Sequence, residues 1–195
     1  MARLTPFRFP PGTCIAQAQP PQRPAVTLHS PGVTVMTDLT EVRAATTSPE
    51  ETLRAARQTM IHQGVRLLFV VREMPCVEGL VTAADLEGER PLVAAQRRGV
   101  TSYDELVVVD VMTPLAEFDA VDYDDLKRCS VADVIATLKA VGRRHLLVAE
   151  KAGAGHGPWI RGIISHTQIE RQLGQPIDVL DLASSFSEIR ASLAA

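Results

Sequence analysis

Two stretches of the sequence place a hydroxyl side chain three residues before a carboxylate or amide, directly after a short apolar run. Residues 79–86 read GLVTAADL and contain Thr82 and Asp85, whereas residues 162–169 read GIISHTQI and contain Ser165 and Gln168. A carboxylate held at a helix start can accept hydrogen bonds from ligand hydroxyls. Free N–H groups at such a start attract a phosphate. The spacing therefore suits binding of a ligand that carries both groups.

The same spacing also has a purely structural interpretation. A threonine followed three residues later by an acid is close to a capping box, and Ser165 with Gln168 matches the named S-x-x-Q pattern. Both copies predict a helix cap, but only the first keeps the negative charge. We therefore expect the first copy to be competent in binding ligand hydroxyls and the second to be degenerate or differently selective.

The surrounding sequence repeats itself. VMTDL at 35–39 returns as VMTPL at 111–115, and GVRLLFV at 64–70 returns as GRRHLLV at 142–148. Together with the two glycine-initiated phrases, these matches occur in the same order in both halves. Matched phrases in order indicate two copies of one supersecondary unit. Each copy predicts the order strand, helix, strand, strand, helix.

Capping residues and terminal glycines predict where the first helix of each copy begins and ends. Ser48 predicts one start, with Glu51 completing a capping box, and Ser130 predicts the other. Gly64 and Gly142 follow the apolar helical patterns and can take the left-handed conformation that ends a helix.

These signals divide the chain into five segments. They are a Pro-rich arm at 1–32, a first repeat at 33–88, a linker with a short helix at 89–106, a second repeat at 107–175, and an amphipathic helix at 176–195. Proline removes donors, so the arm should lack regular structure.

Composition narrows the class of protein. The chain has 195 residues, 46% hydrophobic and 22% charged, with a net charge of −3. Such values are ordinary for a globular protein. They give no basis for broad binding to nucleic acid or membrane. Three widely spaced cysteines predict free thiols in a cytoplasmic protein.

Other motifs carry little chemistry. Residues 153–157 (GAGHG) lack the G-K-[ST] ending of a phosphate loop, and the aspartates of residues 119–125 do not fit a calcium loop. The histidines show no zinc-ligand spacing. No catalytic set is visible, so we expect a protein that is not an enzyme and holds no metal.

The doubled phrases resemble a tandem pair of CBS domains, the regulatory modules named after cystathionine β-synthase. The resemblance covers about residues 33 to 175 and implies an α/β (α+β) fold of two β-α-β-β-α repeats packed around a pseudo-twofold axis. It also implies clefts for adenosine-containing ligands such as AMP, ADP, ATP or S-adenosylmethionine.

The resemblance assigns site residues to each cleft. In the family, the hydroxyl of the glycine-initiated phrase lies by the ligand's phosphates, and the acid of the same phrase holds the ribose hydroxyls. A basic residue at the start of the central strand also faces the phosphates. The opening strand of the partner repeat lines the pocket for the adenine base. One cleft would use Thr82, Asp85, Arg66, Thr113 and Phe118. The other would use Ser165, Gln168, His145, Thr37 and Val42.

The resemblance implies a regulatory module that signals to an unidentified partner protein. The alternative is a scaffold or dimerisation module with ligand-free clefts, which glutamine at position 168 favours. We also expect a homodimer formed through helices. The apolar surface of these helices is predicted to include Met60, Ile61, Leu138 and Val141.

Overall fold

The protein is described by a computed structural model that covers residues 6–14, 25–151 and 158–177. Within these ranges, strands and helices form two units that pack sheet against sheet. The strands are β1 (Met36–Asp38), β2 (Thr46–Thr47), β3 (Leu67–Val71), β4 (Val77–Thr82), β5 (Thr113–Pro114), β6 (Ala120–Asp122), β7 (His145–Glu150) and β8 (Trp159–Ser165). One sheet has the order β2-β3-β4-β5 and the other has the order β1-β8-β7-β6.

Helices cover the outer faces of both sheets. They are α1 (Leu53–Gln63), α2 (Ala83–Glu87), α3 (Arg90–Arg98), α4 (Val108–Val111), α5 (Tyr123–Arg128), α6 (Val131–Val141) and α7 (His166–Leu173). The two β-α-β-β-α repeats are confirmed. Gly64 and Gly142 end α1 and α6 with φ of 64° and 61°, as predicted.

The predicted start of α1 at Ser48 is wrong. The helix begins at Leu53, and the hydroxyl of Thr52 caps it by accepting from the N–H of Ala55 at 3.2 Å. The preceding backbone is used elsewhere, since the carbonyls of Pro49 and Glu51 accept from Val109 and Val108 at the start of α4. A long-range contact therefore replaces the local cap that the sequence predicted. Ser130 does cap α6 as predicted, with Asp133 completing the box.

Each sheet takes an edge strand from the other half of the sequence. β1 pairs with β8 through Thr37↔Ile163, and β5 pairs with β4 through Leu80↔Thr113. The opening glycine of each repeated phrase lies at this crossing. A Cβ on Gly162 would lie 2.7 Å from the carbonyl oxygen of Thr37, and one on Gly79 would clash with that of Thr113. Both glycines thus allow the exchanged strand to approach.

We expect Gly162→Ala to lower the free energy of unfolding by about 1–3 kcal/mol, because overpacking a close backbone contact forces the strand to move. The comparison is a second variant, Gly142→Ala. Its added Cβ would meet no atom within 4 Å, but the residue would be strained by its positive φ. Chemical denaturation measures both. If Gly162→Ala were as stable as the wild type, close packing of β1 on β8 would be refuted.

In the part of the chain that the structure describes, the buried side chains form three groups. One fills the first repeat around Leu53, Leu68 and Val81, and another fills the second around Leu138 and Ile164. The third group, centred on Phe69, Leu80 and Leu147, lies between the two sheets. This third group joins the repeats into one body.

Burial corrects part of the predicted dimer surface. Met60 and Leu138 are 3% and 0% exposed, so they belong to the repeat interiors and not to an outer face. Ile61 is exposed and Val141 is half-buried. The homodimer itself stays a prediction.

Two predicted segments lie largely or wholly beyond what is described. The amphipathic helix over 176–195 and the loop at 153–157 fall outside the described residues, apart from residues 176 and 177. Of the arm, residues 6–14 and 25–32 are described, and the stretch 6–14 contains neither helix nor strand. None of the helices in the described ranges is long and apolar enough to cross a membrane.

Candidate functional site

A cavity of about 390 Å³ opens between the repeats, where the C-terminal ends of β4 and β8 meet. We call it the arginine cavity, after the residues Arg66, Arg90, Arg143 and Arg144 in its wall. The residues predicted for the first cleft all line it, namely Thr82, Asp85, Arg66, Thr113 and Phe118. Sequence positions from 66 to 118 are thus brought to one wall by the strand exchange.

Thr82 and Asp85 form the capping box that the sequence predicted. The backbone N–H and the hydroxyl of Thr82 both donate to one carboxylate oxygen of Asp85, at 2.8 and 2.7 Å. The N–H of Asp85 donates back to the Thr82 hydroxyl at 3.3 Å. The box fixes the carboxylate in the cavity wall with 16% of its side chain exposed. A cap and a ligand group are therefore compatible roles for the same side chain.

Arg90 holds the other carboxylate oxygen of Asp85, at 3.3 Å from its Nε. Its Nη1 also donates to the Thr113 hydroxyl and to the carbonyl of Val111, both at 2.8 Å. The arginine therefore ties α3 to the exchanged strand β5. The sequence did not predict this role. Arg90 is the first residue of the linker helix α3, and no local pattern distinguishes it from an ordinary surface residue.

The cavity wall carries an excess of positive charge. Arg66 and Arg144 make no ion pair with any described residue, and Arg143 makes only a long one of 3.7 Å with Asp119. Among the described residues that line the cavity, Asp85 is the sole carboxylate. Clustered guanidinium groups favour phosphate, which they bind in a bidentate manner. Arg144 occupies the position in GRRHLLV that Arg66 has in GVRLLFV, so the repeat alignment could have identified it.

His145 and Ser165 were predicted for a separate second cleft, but they line the arginine cavity. They are paired across β7 and β8, and both share the lining of the cavity with Asp85. Burial lowers the pKa of His145 below its ordinary 6.5, and the charge of Asp85 acts in the opposite direction. Burial therefore favours the neutral form of the imidazole. A bound phosphate would favour its protonated form.

The remaining residues of the predicted second cleft do not line the cavity. The Thr37 hydroxyl donates to the Gln168 side-chain oxygen at 3.3 Å, which joins β1 to α7. Gln168 makes no cap with Ser165, so the predicted second capping box is wrong. Val42 is 48% exposed and is not among the residues that line the arginine cavity. The Nε2 atom of His166 lies 2.7 Å from the carbonyl oxygen of Ile177, and His166 is not among the residues that line the arginine cavity.

Within the described ranges, His, Cys, Asp and Glu do not cluster in a group that could hold a metal ion.

Comparisons with known proteins bear on the fold. No family model matches the sequence, and no curated protein does either. Among solved structures, an uncharacterized conserved protein from Pyrococcus horikoshii is similar with a TM-score of 0.53 and 17% identity, over 78% of this chain and 98% of that one.

Two further solved structures contain CBS domains by name. One is the CBS domain of a bacterial CNNM/CorC family Mg²⁺ transporter in complex with an inhibitor, with a TM-score of 0.50 and 18% identity over 76% of this chain and 79% of that one. The other is a hemolysin-like protein from Oenococcus oeni, with a TM-score of 0.50 and 18% identity over 75% and 91%.

The architecture is thus a pair of α/β repeats that exchange edge strands and meet sheet to sheet. It is the fold of a tandem CBS-domain pair, as the sequence motifs indicated.

Proposed function

We propose that the protein is a non-catalytic regulatory module that binds an adenosine-containing ligand, such as AMP, ADP or ATP, in the arginine cavity. The observation that carries this proposal is the placement of one fixed carboxylate, Asp85, beside several arginines in a single inter-repeat cavity. A carboxylate suits the vicinal hydroxyls of a ribose, and the arginines suit its phosphates. Binding would change the contacts between the repeats and so pass a signal to a partner protein.

The size and lining of the cavity support this choice of ligand. Its volume of about 390 Å³ falls within the range usual for small-molecule sites. Phe118 is half-buried in the wall and offers an aromatic surface for a base. Thr113 is 5% exposed and lines the same cavity as Phe118. Its hydroxyl accepts a hydrogen bond from Arg90. An aromatic side chain, a carboxylate and several guanidinium groups thus line the same cavity, which supports a ligand with a base, hydroxyls and a phosphate.

A thermal-shift series tests the proposal. We expect AMP, ADP or ATP to raise the melting temperature, because a ligand that binds only the native state stabilises it by about 2.7 kcal/mol at one hundred times its Kd. Adenosine should shift the transition less, since it lacks the phosphate that the arginines would bind. NAD and S-adenosylmethionine complete the series. No shift with any of these compounds at millimolar concentration would refute nucleotide binding.

A second candidate function is a scaffold module whose clefts stay empty. It is favoured by the contacts that Asp85 makes within the protein, because Thr82 and Arg90 already engage both of its carboxylate oxygens. In that case Arg66→Ala would change neither melting in the presence of nucleotide nor partner capture. A cytoplasmic location and a homodimer are proposed for either function.

A further inference from the structure

A second and larger cavity lies at the opposite end of the sheets. Its volume is about 660 Å³, and Phe69, Val71, Leu115 and Ile160 contribute to its walls. β3 begins just after Arg66 at the arginine cavity and ends at Val71 here, so the strands separate the two cavities. The buried residues between the sheets fill the space in between. We call this second space the apolar cavity.

The rim of the apolar cavity exposes side chains that proteins usually cover. Trp159 is 51% exposed and Met74 is 68% exposed, and both line it. Tryptophan provides a rigid apolar surface, and methionine adapts to irregular shapes. A concave space with such walls is typical of small-molecule sites. The repeats contribute jointly, through β3 and β4 on one side and β8 on the other.

The charge of the residues that line the apolar cavity indicates which polar group a ligand would carry. Arg43 is the only charged residue among those that line the apolar cavity in the described ranges, and no carboxylate is present. Its guanidinium is exposed and makes no ion pair with a described residue. One cation beside an apolar space complements one anionic group on an apolar body. The arginine cavity differs, since it combines several cations with a carboxylate.

We propose that the apolar cavity binds an amphipathic small molecule with a single anionic group, such as an aliphatic or aromatic carboxylate. The apolar body would lie against Phe69, Ile160 and Trp159, and the anionic group would pair with Arg43. This site does not overlap the arginine cavity, so its ligand and a nucleotide would bind at opposite ends of the same inter-repeat interior.

The test uses octanoate as the probe and 1-octanol as its uncharged counterpart. Trp159 is the only tryptophan of the chain, so its emission reports on this cavity directly. We expect octanoate to shift the emission saturably and to bind about tenfold more tightly than octanol. Arg43→Ala should remove this preference and leave octanol binding unchanged, while Arg66→Ala should change neither titration. An unchanged emission, or equal binding of both probes to the wild type, would overturn the proposal.

A second readout needs no substitution. Cys76 lines the apolar cavity and is exposed, and Cys14 is exposed elsewhere in the chain. We expect octanoate to slow alkylation of Cys76 by iodoacetamide, measured by peptide mass spectrometry, while Cys14 in the same sample reacts at its original rate. Equal rates at Cys76 with and without octanoate would show that the cavity is closed by the protein's own chain or does not bind the probe. Either result would overturn the proposal.

Discussion

Replacing Asp85 with alanine should weaken nucleotide binding about ten- to a hundredfold. A hydrogen bond to a charged group contributes about 1.5–3 kcal/mol, and the variant would leave the ribose hydroxyls without a charged acceptor. The affinity is measured by titration calorimetry with the nucleotide that gives the largest thermal shift. Because Asp85 also caps α2, the variant should lose about 1 kcal/mol of stability as well.

The chain contains a matched control for the cap. Ser130 and Asp133 form a box with the same geometry, in which the N–H and hydroxyl of Ser130 donate to Asp133 at 2.9 and 2.7 Å. Asp133 does not line the arginine cavity. Asp133→Ala should therefore cost similar stability while leaving nucleotide affinity unchanged. Equal losses of affinity in the two variants would mean that Asp85 acts only as a cap.

Replacing Asp38 with asparagine should have the largest effect on stability. Both carboxylate oxygens of Asp38 accept from Arg161, at 3.0 and 2.9 Å, and the pair joins β1 to β8. The Asp38 side chain is only 15% exposed. Since hydrogen bonds to a charged group contribute about 1.5–3 kcal/mol, we expect a loss of this size in the free energy of unfolding.

The same carboxylate should make stability depend on pH. The hydrogen bonds from Arg161 hold the pKa of Asp38 well below its ordinary 3.8. The unfolded chain therefore takes up this proton at a higher pH than the native protein does. The contribution of Asp38 is complete above about pH 5 and is lost as the pH falls below its ordinary pKa. Asp38→Asn should flatten the stability curve in this acid range.

Denaturation at several pH values tests this expectation against an exposed ion pair. Asp104 pairs with Arg54 at 2.6 Å, but its side chain is 61% exposed. Solvent-exposed pairs contribute about 0–1 kcal/mol, so Asp104→Asn should unfold almost like the wild type. If the free energy of unfolding of Asp38→Asn depended on pH in the acid range as that of the wild type does, the pair of Asp38 with Arg161 would not be the source of this pH dependence.

Local sequence signals predicted the parts of the fold that depend on local physics. Ser130 caps α6 because its own hydroxyl and Asp133 satisfy nearby N–H groups, and Gly64 and Gly142 end helices because they tolerate positive φ. These outcomes need only a few neighbouring residues. The repeated phrases likewise predicted two units, since each phrase forms the same element in both halves.

Contacts between distant segments account for what the sequence did not predict. The true cap of α1 is Thr52 because residues 49–51 pair with the start of α4, a contact invisible in the local pattern. Gly79 and Gly162 acquire their role only from a strand contributed by the other half of the chain. Arg90 enters the site for the same reason, through β5. The composition of the arginine cavity therefore could not be read from either repeat alone.

The most direct test of the central claim is titration calorimetry of the intact protein with AMP, ADP and ATP. We expect saturable binding of at least one of them, with an affinity that falls in Asp85→Ala and Arg66→Ala but not in Asp133→Ala. If the arginines pair with the phosphate as proposed, the affinity should also fall as the salt concentration rises. Absence of saturable heat with all three nucleotides at millimolar concentration would contradict the account, as would binding that Asp85→Ala and Arg66→Ala leave unchanged.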